Sequence, residues 1–152
     1  MGDEHMTVAL ATIRKDAYEA MYDHLQTGAY AISTNNIHPV FTDNALAKEG
    51  FPQVIIKVRI KSHQLTIGQN PIIHAEIQYE IQSIHNSSEN AKDIADEIWN
   101  KIYTGKQTLA GHNLYSNKEN FSEDDYDMEY YAWNKIIHTY TQTFNFRYTH
   151  TQ

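Results

Sequence analysis

The chain contains no cysteine. A disulfide framework and a thiolate metal site are therefore both excluded, and the redox compartment is left open. Positive charge is scarce as well: 12 Lys and Arg stand against 19 Asp and Glu, a net charge of -7. A nucleic-acid binder ordinarily carries a basic surplus, and anionic membranes repel an acidic chain, so both partner classes are disfavoured. A local basic face remains compatible with that balance. No apolar run approaches the roughly 18–20 residues needed to span a bilayer, and the N-terminus lacks the hydrophobic segment of a signal peptide. A soluble, cytoplasmic protein is the expectation. The motifs of familiar catalysis are missing too: there is no H-E-x-x-H, no serine in a G-x-S-x-G context and no glycine-rich phosphate loop.

The 152 residues that are present, 41% of them hydrophobic, suffice for one domain with a real core. A mean hydropathy of -0.62 adds that much of the chain is polar. Residues 7–150 read as a single α+β domain. Residues 1–6 read as a flexible N-terminus, or as a remnant ahead of a true start at Met6.

The clearest local signal runs from Ile73 to Ile102. Ile73, Ala75, Ile77, Tyr79 and Ile81 alternate with His74, Glu76, Gln78, Glu80 and Gln82, the period of a strand with one buried and one wet face. After Asn86-Ser87-Ser88 the period changes. Ala91, Ile94, Ala95, Ile98, Trp99 and Ile102 form one helical stripe. Asn86 with Glu89 resembles a capping box, with Ser87 or Ser88 as the alternative cap.

Elsewhere the same reasoning predicts a helix over Thr7–Leu25, stopped near Gly28, with a short extended piece over 29–33. A long connection follows over 34–50, in which Val40-Phe41 pairs briefly as a strand end. A strand over Gln53–Ser62 has Val54, Ile56, Val58 and Ile60 on one face and Ile55, Lys57, Arg59 and Lys61 on the other. The turn Gly68-Gln69-Asn70-Pro71 makes this strand and the Ile73 strand an antiparallel pair. Residues 113–127 are polar and acidic and read as a solvated or mobile loop. Tyr126–Trp133 reads as a strand in preference to a short helix. In Thr139–Thr149, Tyr140, Gln142, Phe144, Phe146 and Tyr148 share one face. The expected fold is a mostly antiparallel sheet of about four strands with two helices packed on one face, in the order α-β-β-α-β-β.

Three constellations invite chemistry. Nine histidines occur without ligand spacing, and the best local set is His74 and Glu76 on one strand face with His63 on the neighbouring strand. A metal-dependent enzyme or small-ligand binder built on those three is an alternative; wet strand-face residues are the preferred reading, and no metal, cofactor or catalytic residue is assigned. Lys57, Arg59 and Lys61 project from one face, where they either pair with Glu76 and Glu80 across the strands or present a charged surface to another subunit, to passing nucleic acid or to an acidic partner. Tyr115, Phe121, Tyr126, Tyr130, Tyr131 and Trp133 crowd one polar region, which suits an interface as well as a core.

The element order and local sequences resemble the tail terminator (tail completion) proteins of long-tailed viruses and prophages. The matching stretches are the leading helix, the long connection, Phe51-Pro52-Gln53-Val54-Ile55-Ile56, the Ile77 strand feeding Ser88-Glu89-Asn90-Ala91-Lys92-Asp93-Ile94-Ala95-Asp96-Glu97-Ile98-Trp99, and Phe144-Asn145-Phe146-Arg147-Tyr148. The similarity covers roughly residues 7–148, and its motifs are fold patterns without a catalytic signature. The acidic 113–127 segment departs from it. The resemblance implies a non-enzymatic virion protein, assembled in the host cytoplasm and placed at the tail–neck junction. It implies a homo-oligomeric ring, usually a hexamer, that caps the tail tube protein, docks a neck or head-completion protein and surrounds passing DNA. Another head–tail connector or neck protein would share the same α+β plan.

Overall fold

A computed structural model of the chain describes residues 2–26, 36–39, 52–65, 72–105, 109–116, 122–124, 128–132 and 135–151. Along the chain these form α1 (Gly2–Leu25), β1 (Ile37–His38), β2 (Gln53–Leu65), β3 (Ile72–His85), α2 (Ser88–Thr104), β4 (Leu114–Ser116), β5 (Ser122–Asp124), β6 (Met128–Ala132) and β7 (Lys135–Thr151). The fold is α+β, with more strands than the expected four. β1 pairs parallel to β2, and the remaining pairings are antiparallel, in the order β1-β2-β3-β7. β7 is longer than any partner on its far edge. β4, β5 and β6 pair with it in succession, at Phe146–Tyr148, Gln142–Phe144 and Lys135–Thr139. They amount to one broken fifth strand.

Alternation fixes which face is buried. Val54, Ile56, Ala75, Ile77, Tyr79, Ile81, Phe144, Phe146 and Tyr148 are buried on one side of the sheet, together with Ile13, Ala17, Met21 and Leu25 of α1 and Ile98 and Ile102 of α2. Both helices therefore lie on the same face, as their spacing predicts. Two polar ties fix them there. The Tyr79 hydroxyl donates to the Ala17 carbonyl at 2.7 Å, and the Gln142 Nε2 donates to the Ala95 carbonyl at 2.9 Å. Tyr79 also meets Phe146 edge-on, with ring centroids 5.5 Å apart.

Helix α2 begins at Ser87, whose Oγ accepts the Asn90 N–H at 3.2 Å. Of the possible caps, the serine takes the position, while Asn86 Oδ1 accepts from the Asn90 side-chain amide at 3.3 Å. The helix ends at Gly105, whose N–H donates to Lys101 O at 2.9 Å.

Three expectations need correction, and three others lie outside the described residues. α1 extends to Gly2, so residues 2–6 are helical instead of a detached leader. The strand in the long connection falls at Ile37–His38; the pieces expected at 29–33 and Val40-Phe41, and the Gly68–Pro71 turn, lie outside the described residues. The acidic 113–127 stretch contributes β4 and β5, because the free edge of β7 offers a template to any neighbouring extended segment. The observed order is accordingly α-β-β-β-α-β-β-β-β.

Candidate assembly surface

The face of the sheet opposite the helices carries the polar half of each strand pattern. Its registers bring Lys57 opposite Glu80 and, across β3, Glu80 opposite Thr143. Arg59 faces Gln78, which faces Asn145. A bulge between Ile60 and Ser62 then offsets β2, so that Ser62, Glu76, Arg147 and Tyr115 occupy the next row across four strands. Cations and carboxylates thus alternate over the surface. Lys57, Arg59, Lys61, Glu76 and Arg147 are exposed and Glu80 is half-buried. Lys57 and Glu80 are direct cross-strand neighbours, the arrangement in which opposite charges contribute up to about 1 kcal/mol. Glu76 meets Arg147 instead of a β2 cation, a pairing hidden from sequence because β7 lies far along the chain. Between the charges, Gln78 Nε2 donates to Asn145 Oδ1 at 3.3 Å.

The same bulge dissolves the histidine set. Glu76 and His74 share the outer face, whereas His63 pairs with Ala75 and so takes the register position of the helix-covered side. His74 Nδ1 lies 3.3 Å from Thr149 Oγ1. Among the described residues no group of three or more histidines and carboxylates is placed to hold a metal ion.

One end of the outer face is closed. Gln53, Ile55, Ile84, Ile137 and Thr139 are all buried there, although their strand positions match those of the exposed charges. The accessible part therefore begins at the Lys57–Glu80 row.

Of the aromatic group, Tyr115 sits on β4 and is 48% exposed. Tyr130 and Tyr131 lie on β6, while Phe121, Tyr126 and Trp133 lie outside the described residues. Two aromatic pairs lie outside the residues singled out from the sequence, where only Trp99 is placed, on the apolar stripe of its helix. Trp99 and Tyr103 stack at 4.8 Å on α2, with Tyr103 48% exposed. Tyr18 and Tyr22 stack at 5.9 Å on α1. Their i, i+4 spacing was the available signal.

Two concavities adjoin α1. The first, about 310 Å³, has Asp16, Glu19 and Asp23 on one wall and Gly111, His112, Asn113 and Tyr148 on the other. Asn113 holds a left-handed φ of 66°, which asparagine tolerates, and closes the turn with its N–H on Ala110 O at 3.0 Å. Burial, and then the nearby Asp16 carboxylate, raise the Tyr148 phenol pKa, while a hydrogen bond with Asn113 opposes them. The second concavity, about 760 Å³, runs between α1 and β2 over the Tyr18–Tyr22 stack, with Arg14, Lys15 and Lys57 among its lining residues. Burial raises the Tyr18 pKa, with Tyr22 adding to the effect.

No helix among the described residues is long and apolar enough to cross a membrane. Compared with known proteins, the sequence matches no family model and no curated protein.

Proposed function

We propose that the protein is a structural subunit of virion assembly, a tail terminator that forms a ring, caps a tail tube and presents its upper surface to a neck or head-completion protein. The observation that supports this reading best is the exposed part of the sheet face opposite the helices. Both helices pack on one side, leaving a mixed-charge surface on the other that runs from Lys57 and Arg59 through Glu80 and Glu76 to Arg147. Such a face can line a polar lumen or meet a neighbouring subunit whose charges complement it. The two helices and long strands on which the family resemblance rests follow in the same sequence order, with β1 and the broken strand added.

The proposal is tested with the full chain by native mass spectrometry and negative-stain microscopy, alone and with assembled tail tubes. The expected result is a closed ring with a central opening that binds tube ends and stops their growth. A strictly monomeric chain that leaves tube ends free would overturn it.

A further inference from the structure

The groove between α1 and β2 adjoins an open strand edge. β1 covers β2 only at Val54 and Ile55; beyond Ile55 the outer edge of β2 has no strand partner among the described residues. An uncovered edge of that kind accepts an extended segment through its free backbone groups. The groove beside it adds the stacked Tyr18 and Tyr22 as an apolar floor and Arg14, Lys15 and Lys57, all exposed, as cations; Glu19 is the one acid among the described lining residues. Three of only 12 Lys and Arg in a chain of net charge -7 gather here.

The strands at the opposite edge of the same sheet hold acidic residues in their sequences. There β5 holds Glu123 and Asp124, and β6 holds Glu129, in strands paired on one side to β7 and lacking a strand on the other among the described residues. We propose that the acidic β5–β6 edge of one copy docks into the cationic, tyrosine-floored groove beside the β2 edge of the next. The assignment rests on the ring reading and supplies its subunit contact. Because the two surfaces sit on opposite edges, the contact is head-to-tail, which closes into a ring or extends into a filament but cannot be satisfied by a two-fold dimer.

The absence of native cysteine makes a direct test available. Lys57→Cys and Asp124→Cys are made as separate single variants, with Glu129→Cys as a second acidic-edge position. Within one chain β2 and β5 are separated by β3 and β7, so their Cα atoms lie about 14 Å apart at the usual strand spacing, well beyond the roughly 7 Å limit of a disulfide. Any 57–124 or 57–129 bridge is therefore between copies. Mixing the two single variants under mild oxidation should give a disulfide dimer, and each variant alone should stay uncrosslinked. In parallel, Arg14→Glu/Lys15→Glu should weaken assembly about tenfold or more, and mixing it with Glu123→Lys/Asp124→Lys should restore assembly. Rings that form without either bridge, or that tolerate both charge reversals, would overturn the groove contact while leaving the ring itself standing. A chain that is monomeric at all concentrations, with or without tubes, would overturn both.

Discussion

His24 Nε2 lies 2.7 Å from the carbonyl oxygen of Lys101, so the last turn of α1 caps the last turn of α2. A helix C-terminus leaves carbonyl groups without intrahelical donors, and a histidine N–H is a suitable partner for one of them. The same carbonyl also receives the Gly105 N–H. Room for the imidazole comes from Gly105: a methyl group there would collide with the His24 ring and lie 2.7 Å from Lys101 O. The glycine is needed for space, not for its backbone angle, since φ is an ordinary -91°.

Gly105→Ala should therefore destabilise the fold by about 1–3 kcal/mol, the usual cost of forcing atoms into a filled site. His24→Ala alone should cost about 1 kcal/mol for the lost hydrogen bond. In the double variant the methyl group meets no ring, so the combined cost should fall clearly below the sum of the two. Urea denaturation of the four proteins measures this. Strict additivity would show that His24 and Gly105 do not share the site in solution.

Tyr79 gives the stability a pH dependence at the alkaline end. Its ring is buried and burial drives its pKa far above the ordinary 10.0. The unfolded chain releases that proton near pH 10, whereas the folded chain retains it, so above about pH 10 folding stability falls as pH rises. The slope from this one group is about 1.4 kcal/mol per pH unit. Tyr79→Phe should remove that part of the slope while costing about 1 kcal/mol near neutrality, because the bond to Ala17 is lost. Denaturation curves between pH 7 and pH 11 provide the measurement. An unchanged alkaline slope in Tyr79→Phe would refute the assignment.

What the sequence disclosed, and what it hid, follows from the range of each interaction. β3, β7 and α2 were legible because their periodic patterns run for ten residues or more and record burial on one side. β1, β4 and β5 have two or three residues each, too few to establish a period. They are strands because a long neighbour offers an edge, a fact located elsewhere in the chain. The outer face was legible in composition but not in register. Lys57 opposite Glu80 could be anticipated from the hairpin, whereas the bulge after Ile60 and the Glu76–Arg147 row could not. That bulge alone decides that His63 and His74 fall on opposite faces.

Gln142 presents a different kind of test. It is buried beneath α2; its Nε2 is bonded to Ala95 O, but its Oε1 is buried without a hydrogen-bond partner among the described residues. A buried acceptor left unsatisfied costs about 1–3 kcal/mol, comparable with or greater than the gain from one neutral hydrogen bond. Gln142→Met, which keeps the volume and removes both polar groups, should thus be within about 1 kcal/mol of the parent or more stable. Gln142→Ala leaves a cavity under the helix and should be destabilising by about 2 kcal/mol or more. Equal losses in the two variants would mean that the bond to Ala95, not packing, holds α2 to β7.

The outer face should separate assembly from folding. Glu80 lies directly across from Lys57, and Glu76 across from Arg147, on a surface open to solvent, where each pair contributes about 1 kcal/mol or less. Glu76→Lys/Glu80→Lys should accordingly unfold at a urea concentration close to that of the parent. Its effect should appear only when copies or tubes are present, because six positive side chains in place of a mixed pattern would oppose a neighbouring cationic surface and attract any passing polyanion. Raising the salt from about 50 mM to about 500 mM should shrink that difference, since a shorter Debye length screens exposed charges. Parallel denaturation and ring-formation assays at both salt concentrations check this. A large loss of folding stability would show that the charges serve to hold the sheet together, and an assembly level identical to the parent at low salt would show that this face meets nothing.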